Sequence, residues 1–330
     1  MNPKTKKRGL GQYFTKEKIW LKDNIKTFIL NSGCKIAYDP FAGSGDLLRA
    51  MEEIGFKETK GLDIDEDLGW EYCDSLLNIP FTPNAIIITN PPYLSNYSAR
   101  RRHIFDKVEK YFKSSGYGNL YLLALAKMLE AQEYIVAIVP ETFINSSFPK
   151  GRLVSINILE ENPFDETETP VCVLCFDGTM KSTHEVKVYK NEHFKSTLGA
   201  LEAKRLHPRN DLYFRFNTPN GKIGLRAVDT TDPRRRISFM KREDLNYDMS
   251  GIKISSRVIT VIDGDVEDGK LSIFLETCNH ILECYREDTD DILLSPFKGN
   301  MKNGVRRRRL DYETCRAILE RASRQLEMNR

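Results

Sequence analysis

From Lys35 to Phe176 the chain alternates short apolar runs with amphipathic stretches, the pattern of strands and helices taken in turn. Lys35–Tyr38 reads as a strand running into Asp39-Pro-Phe-Ala-Gly-Ser-Gly45, with Leu47–Ile54 as the helix after it. A second strand ends in Gly61-Leu-Asp-Ile-Asp65. Ala85–Thr89 is apolar almost throughout, as in parallel strands covered on both faces. Leu120–Gln132 reads as a helix, and Tyr134–Val139 and Val171–Phe176 as two more strands. Such alternation predicts a doubly wound α/β sheet. Beyond about residue 180 the regularity fades. Short strands are expected at Gly251–Val261 and Lys270–Leu275, and a last helix near Tyr312–Leu326. The pattern predicts two domains, residues 1–185 with the sheet and residues 186–330 as a mixed α/β module.

Composition narrows the class. Of 330 residues, 40% are hydrophobic and 29% charged, which fits a soluble globular protein and not a disordered one. No apolar run approaches the roughly 18 residues of a membrane span. Met1–Arg8 is basic but leads into no apolar core, so no secretory signal is expected. The seven cysteines are odd in number and dispersed, which predicts reduced thiols and a cytoplasmic setting. The net charge of +3 is unevenly spread. Residues 1–180 hold 21 Lys and Arg against 24 Asp and Glu, while residues 181–330 hold 29 against 23. The basic excess in the second half points to a polyanionic partner, although a solvated surface would show the same bias.

Candidate chemistry begins at the first strand's end. Gly43 and Gly45, between a strand and a helix, allow close backbone approach and leave helix N-terminal amides free for a ligand. An ordinary tight turn would use the same glycines. An acidic residue about 20 positions on reaches ribose hydroxyls in nucleoside-binding sheets. Asp63 and Asp65 both qualify. Asn90-Pro91-Pro92-Tyr93 follows the apolar strand and therefore lies at the carboxyl edge of the sheet. Its prolines end the strand in a rigid turn, which can aim the Asn90 side-chain oxygen and the Pro91 carbonyl at one amino group. Tyr93 offers a face to a planar base.

These residues resemble the amino-group DNA methyltransferases. In that family an FxGxG motif, here Phe41 to Gly45, binds S-adenosylmethionine, and a (N/D/S)PP(Y/F/W) motif, here Asn90–Tyr93, holds the target amino group. Asn at its first position is the adenine-N6 version. Gly11-Gln-Tyr-Phe-Thr15 is similar to the family's N-terminal cofactor motif, so Tyr13, Phe14 and Thr15 are expected at the methionine end of the cofactor. The resemblance, which covers residues 9–178, also places Asp39, Phe41, Gly43, Gly45, Asp63 and Asp74 around the cofactor. By the same resemblance Asp74 is expected to take the amino group of the cofactor's adenine, although Ser75 stands where the family has an aromatic. Phe164 resembles the aromatic that stacks on a target base. A Rossmann-like methyltransferase sheet with a C-terminal target-recognition domain is thus implied, with double-stranded DNA as partner and an extruded adenine sandwiched by Tyr93 and Phe164. A monomer accompanied by a restriction endonuclease is the expected setting. RNA-adenine or protein-glutamine methylation, and a DNA-binding subunit without its own activity, remain alternatives.

Three basic runs are candidate phosphate contacts: Arg100, Arg101 and Arg102; Arg234, Arg235 and Arg236; and Arg306, Arg307, Arg308 and Arg309. No metal is expected. Cys172 and Cys175 fall on opposite faces of a strand, and Cys278, His280 and Cys284 lack a completing pair.

Overall fold

The structure, a computed structural model, describes residues 18–164, 167–245 and 258–328. The chain divides into two compact units, the first ending at Gly199 and the second beginning at Ala200. The first is a doubly wound α/β unit. Its strands are β1 (Ile36–Asp39), β2 (Glu58–Asp63), β3 (Glu71–Tyr72), β4 (Ala85–Thr89), β5 (Tyr134–Pro140), β6 (Leu153–Leu159), β7 (Val171–Phe176), β8 (Lys187–Lys190) and β9 (His193–Thr197). Their order is β3-β2-β1-β4-β5-β7-β6-β8-β9. β3, β2, β1, β4 and β5 run parallel, and β7 enters antiparallel to both β5 and β6. Because β8 and β9 extend this sheet, the unit boundary falls later than the expected 185/186 division.

The sheet is buried on both faces by two kinds of helix. Helices α1 (Asp23–Asn31) and α2 (Asp46–Glu53) turn Ile25, Ile29, Leu47, Leu48 and Met51 onto Ala37, Ile86, Ile88, Val136, Ile138 and Val173. Each such buried aliphatic side chain stabilises the unit by about 1.5–3 kcal/mol. Between β4 and β5 lie α3 (Asn96–Arg101), α4 (Phe105–Ser115) and α5 (Leu120–Ala131). α5 is apolar around its circumference and correspondingly buried. Cys175 belongs to the α1–α2 side and Cys172, an odd step away on β7, to the opposite face, as the strand's alternation requires.

One crossover departs from the ordinary pattern. Parallel strands are usually joined by about a dozen residues or more, commonly with a helix. β2 and β3 are joined by residues 64–70, which form only a 3-10 turn at Glu66–Leu68. Trp70 packs against the core cluster shared by α1 and α2.

The second unit is built on a four-stranded antiparallel sheet in the order β10-β13-β11-β12. These strands are β10 (Phe214–Phe216), β11 (Ile223–Arg226), β12 (Ser238–Lys241) and β13 (Ile259–Gly264); β14 (Ser295–Asn300) pairs antiparallel with β15 (Arg306–Arg309). Helices α6 (Leu271–Thr289) and α7 (Tyr312–Met328) pack on each other. The strand expected at Lys270–Leu275 is the start of α6. Read over a longer window, Phe274, Leu275, Cys278, Ile281, Leu282 and Tyr285 recur at helical spacing and are all buried, so the helical period governs. Of the strand expected at Gly251–Val261, residues 251–257 lie outside the described residues, and β13 begins at Ile259.

Candidate active site at the switch point of the sheet

After β1 the chain winds to β2 and β3 on one side; it then returns to β4, on the other side of β1, and continues to β5. The carboxyl ends of β1 and β4 therefore flank a topological switch point, where open α/β sheets bind ligands. Asp39 ends β1 and leads into the glycine turn; Thr89 ends β4 and leads into Asn90-Pro91-Pro92-Tyr93. Thr89 Oγ1 donates to Asp39 Oδ1 at 2.6 Å, and the Phe41 amide donates to the same oxygen at 2.9 Å. One buried carboxylate thus ties the two turns together. Its environment is costly to a charge. Burial pushes the Asp39 carboxyl up to about 7, against the Thr89 and Phe41 hydrogen bonds, and nearby Asp63 adds to the rise.

The glycines have separate tasks. Gly43 and Gly45 take φ of +55° and +80°, where a side chain is strained. Among the described residues, a Cβ on Gly43 would meet nothing closer than Phe41 O at 3.9 Å, which leaves room beside it for a ligand. A Cβ on Gly45 would come within 2.9 Å of Trp70 Cζ2, and one on Gly61 within 2.4 Å of Trp70 Cε3. Trp70 Nε1 also donates to Gly43 O at 2.9 Å. Part of the pattern read as ligand space is therefore filled by the indole. The position of Trp70 carried no signal of its own, because its partners lie on other elements.

Asp63 is buried. Its Oδ2 accepts from the Gly43 amide and its Oδ1 from the Asp65 amide, both at 2.9 Å. It clamps the glycine turn to β2, while Asp65 is half-buried and caps the following 3-10 turn through the Asp67 amide. Asp74 lies just beyond β3. Its Oδ2 accepts from Lys110 Nζ and Tyr111 Oη on α4, each at 2.9 Å. Its Oδ1 is buried without a hydrogen-bond partner. Among the described residues expected at the cofactor, Asp74 has a buried side-chain acceptor left unsatisfied, which fits a ligand bringing an N–H donor.

At the catalytic turn Pro91 and Pro92 are buried and Asn90 and Tyr93 half-buried. The segment beyond is held by Leu120 N donating to Leu94 O and Asn96 N donating to Gly118 O. The Tyr93 hydroxyl faces both Asn90 Oδ1 and Ile138 O, the latter at 2.9 Å. With one hydrogen, it serves one oxygen at a time. The Tyr93 ring meets Tyr121 edge-on at 6.4 Å and Phe164 edge-on at 6.2 Å, with an interplanar angle of 69° for Phe164. The two rings expected around a target base are thus direct neighbours. Phe164 is a buried core residue in direct edge-to-face contact with Tyr93, the arrangement ring quadrupoles favour, and no gap for a base separates them. The Asn162 side chain, which accepts from the Phe164 amide, holds the loop in this position.

The basic runs differ in placement. Arg100, Arg101 and Arg102 are exposed at the end of α3, with Arg100 lying over the Phe105 ring at 3.8 Å. Arg234 is exposed and paired with Asp232, Arg235 is exposed, and Arg236 reaches Glu283 and Asp291. The last run forms β15, and strand alternation buries every second side chain. Arg306 and Arg308 are 4% and 1% exposed, which removes them as surface phosphate contacts. Arg307 and Arg309 are half-buried, and Arg307 donates to Asp229 O. Tyr13, Phe14 and Thr15 lie outside the described residues. Among the described residues, no group of three His, Cys, Asp or Glu side chains is arranged to hold a metal, and no helix is long and apolar enough to cross a membrane.

No family model and no curated protein matches the chain. Solved structures do align with part of it. A protein from Listeria monocytogenes, provisionally assigned as a class I S-adenosylmethionine-dependent methyltransferase, matches at 15% identity over 53% of this chain and 67% of its own, with a TM-score of 0.34. The methyltransferase subunit of a type I restriction-modification system from Streptococcus thermophilus matches at 16% identity over 55% of this chain, TM-score 0.38. The type IIG restriction endonuclease BpuSI matches at 20% identity over 56%, TM-score 0.39. The aligned part spans 47% of the Streptococcus chain and 28% of BpuSI.

Proposed function

We propose that this chain is an S-adenosylmethionine-dependent methyltransferase acting on the N6 amino group of adenine in double-stranded DNA, as the modification enzyme of a restriction-modification system. The observation that carries the reading is the pairing of Asp39 with Thr89, which sets the glycine turn beside Asn90-Pro91-Pro92-Tyr93 at the switch point. Gly43 offers open backbone to the cofactor and Asp74 Oδ1 an unsatisfied acceptor. When bound, the cofactor supplies an electrophilic methyl carbon. Asn90 Oδ1 and the Pro91 carbonyl accept hydrogen bonds from the target amino group, orienting its nitrogen towards that carbon. Ile138 O gives the Tyr93 hydroxyl another acceptor when Asn90 Oδ1 engages the substrate. The protein's contribution is position and electrostatics. Because a paired base is out of reach, the adenine leaves the duplex first. Exposed Arg101 and Arg102, just beyond the catalytic turn, meet the phosphate backbone.

The test supplies methyl-labelled cofactor with DNA, RNA and protein substrates and identifies the labelled unit after digestion. N6-methyladenine in DNA is expected. Label in cytosine, RNA or glutamine would sink the substrate assignment. Asn90→Ala should lower turnover at least about 100-fold, with S-adenosylhomocysteine affinity unchanged. Turnover near the wild-type rate would displace the catalytic turn.

A further inference from the structure

We infer that Lys110 and Tyr111, adjacent on α4, are positioning residues: they hold one oxygen of Asp74 so that its other oxygen reads the amino group of the cofactor's adenine. This rests on the cofactor reading above. The Asp74 side chain is 15% exposed. Two donors, the Lys110 ammonium and the Tyr111 hydroxyl, converge on Oδ2, leaving Oδ1 enclosed and unsatisfied among the described residues. An ionised carboxylate only accepts, and a buried acceptor nearly always has a donor. With no donor among the described residues, this oxygen offers an acceptor to an incoming N–H group.

The convergence also explains how one oxygen stays available. A carboxylate held by nothing turns freely about its last torsion, whereas two donors on one oxygen fix its plane and direct the other. They come from a helix more than thirty residues away in sequence, so the aim of Asp74 is set by where α4 packs. Tyr111 is the stronger of the two. It is buried, its hydroxyl is drawn towards the carboxylate, and burial followed by that hydrogen bond raises its pKa above the usual phenol value. Lys110 is mostly exposed and lies over the Tyr111 ring at 4.7 Å. Solvent screens its share.

A fixed acceptor at Oδ1 selects a nucleobase that presents a donor there. Adenine presents an amino group. Hypoxanthine presents a carbonyl oxygen at the same position, and two acceptors then face each other. The positioning pair should matter for the first base and not for the second.

Calorimetric titration of the full chain with S-adenosylhomocysteine and with its deaminated analogue S-inosylhomocysteine tests this. The wild type should prefer the adenosyl ligand. Tyr111→Phe, which removes one hydroxyl and keeps the ring, should weaken adenosyl binding about tenfold and leave inosyl binding unchanged. Lys110→Met should act in the same direction more weakly. In an Asp74→Asn background Tyr111→Phe should add nothing. If Tyr111→Phe weakens both ligands equally, or neither, the inference is overturned while the cofactor reading stands. If the wild type binds neither ligand, both fall.

Discussion

Asp39 in the first unit and Asp229 in the second are both fully enclosed carboxylates, yet their surroundings push them in opposite directions. Burial raises Asp39 to about 7, because only a hydroxyl and an amide answer its charge and Asp63 lies near. Burial acts on Asp229 too. There the Arg286 guanidinium, bidentate at 3.0 Å on both oxygens, and the Ile237 and Arg308 amides outweigh it and hold the carboxyl below its usual range. Asp291 also bonds Arg286. The second unit answers the Asp229 charge from within itself. The first holds carboxylates with few donors at the edge where a ligand is expected. A compensated group staples a fold, and an undercompensated one marks a site.

The largest effect should come from breaking the compensated network. Arg286→Met leaves Asp229 buried without its partner and should destabilise the chain by about 3–5 kcal/mol. Denaturant unfolding of the full chain would read this, and an unchanged midpoint would show that the network is not a staple. Next comes the pH dependence of Asp39. Between about pH 4 and pH 7 the folded protein keeps a proton there that the unfolded chain releases. Its contribution therefore weakens as pH rises through that window and is constant above it. Asp39→Asn retains an oxygen for Thr89 and Phe41 and has no proton to lose. Relative to the wild type it should gain stability, on the order of a few kcal/mol, as pH rises across the window. Asp229, with its lowered value, should show the reverse sense, losing its contribution only as pH falls through the acidic range. Parallel stability curves for wild type and Asp39→Asn would contradict the contrast.

The smallest effect separates two arginine runs that look alike in sequence. Arg101→Ala should lower DNA affinity severalfold, reduce the salt slope by about one, and leave the melting temperature unchanged. Arg308→Ala should lower the melting temperature instead, since that side chain is 1% exposed. If both variants affect only DNA binding, the burial of β15 does not decide the role of its arginines.

Much of the first unit could be read from local pattern. Ala85–Thr89 and Val171–Phe176 are the observed strands β4 and β7, because an uninterrupted apolar run has few other uses. The Asn90–Tyr93 turn lay at the expected edge, because two prolines end a strand wherever it packs. The second unit was less legible. A six-residue window hid the period of α6, and four arginines in a row concealed a half-buried strand.

The sequence by itself determined the alternation of strands and helices, the turns that end β1 and β4, and the residue types available for chemistry at those turns. These depend on neighbours within a few positions, where periodicity and backbone restriction act. The tertiary structure alone decided that Trp70 fills the space beside Gly45 and Gly61, that Phe164 packs edge-on against Tyr93, and that Lys110 and Tyr111 converge on Asp74. It also decided which of the buried aspartates is answered by an arginine. Those outcomes depend on contacts between elements far apart in the chain, and no local pattern encodes which groups will share one enclosed, poorly screened space.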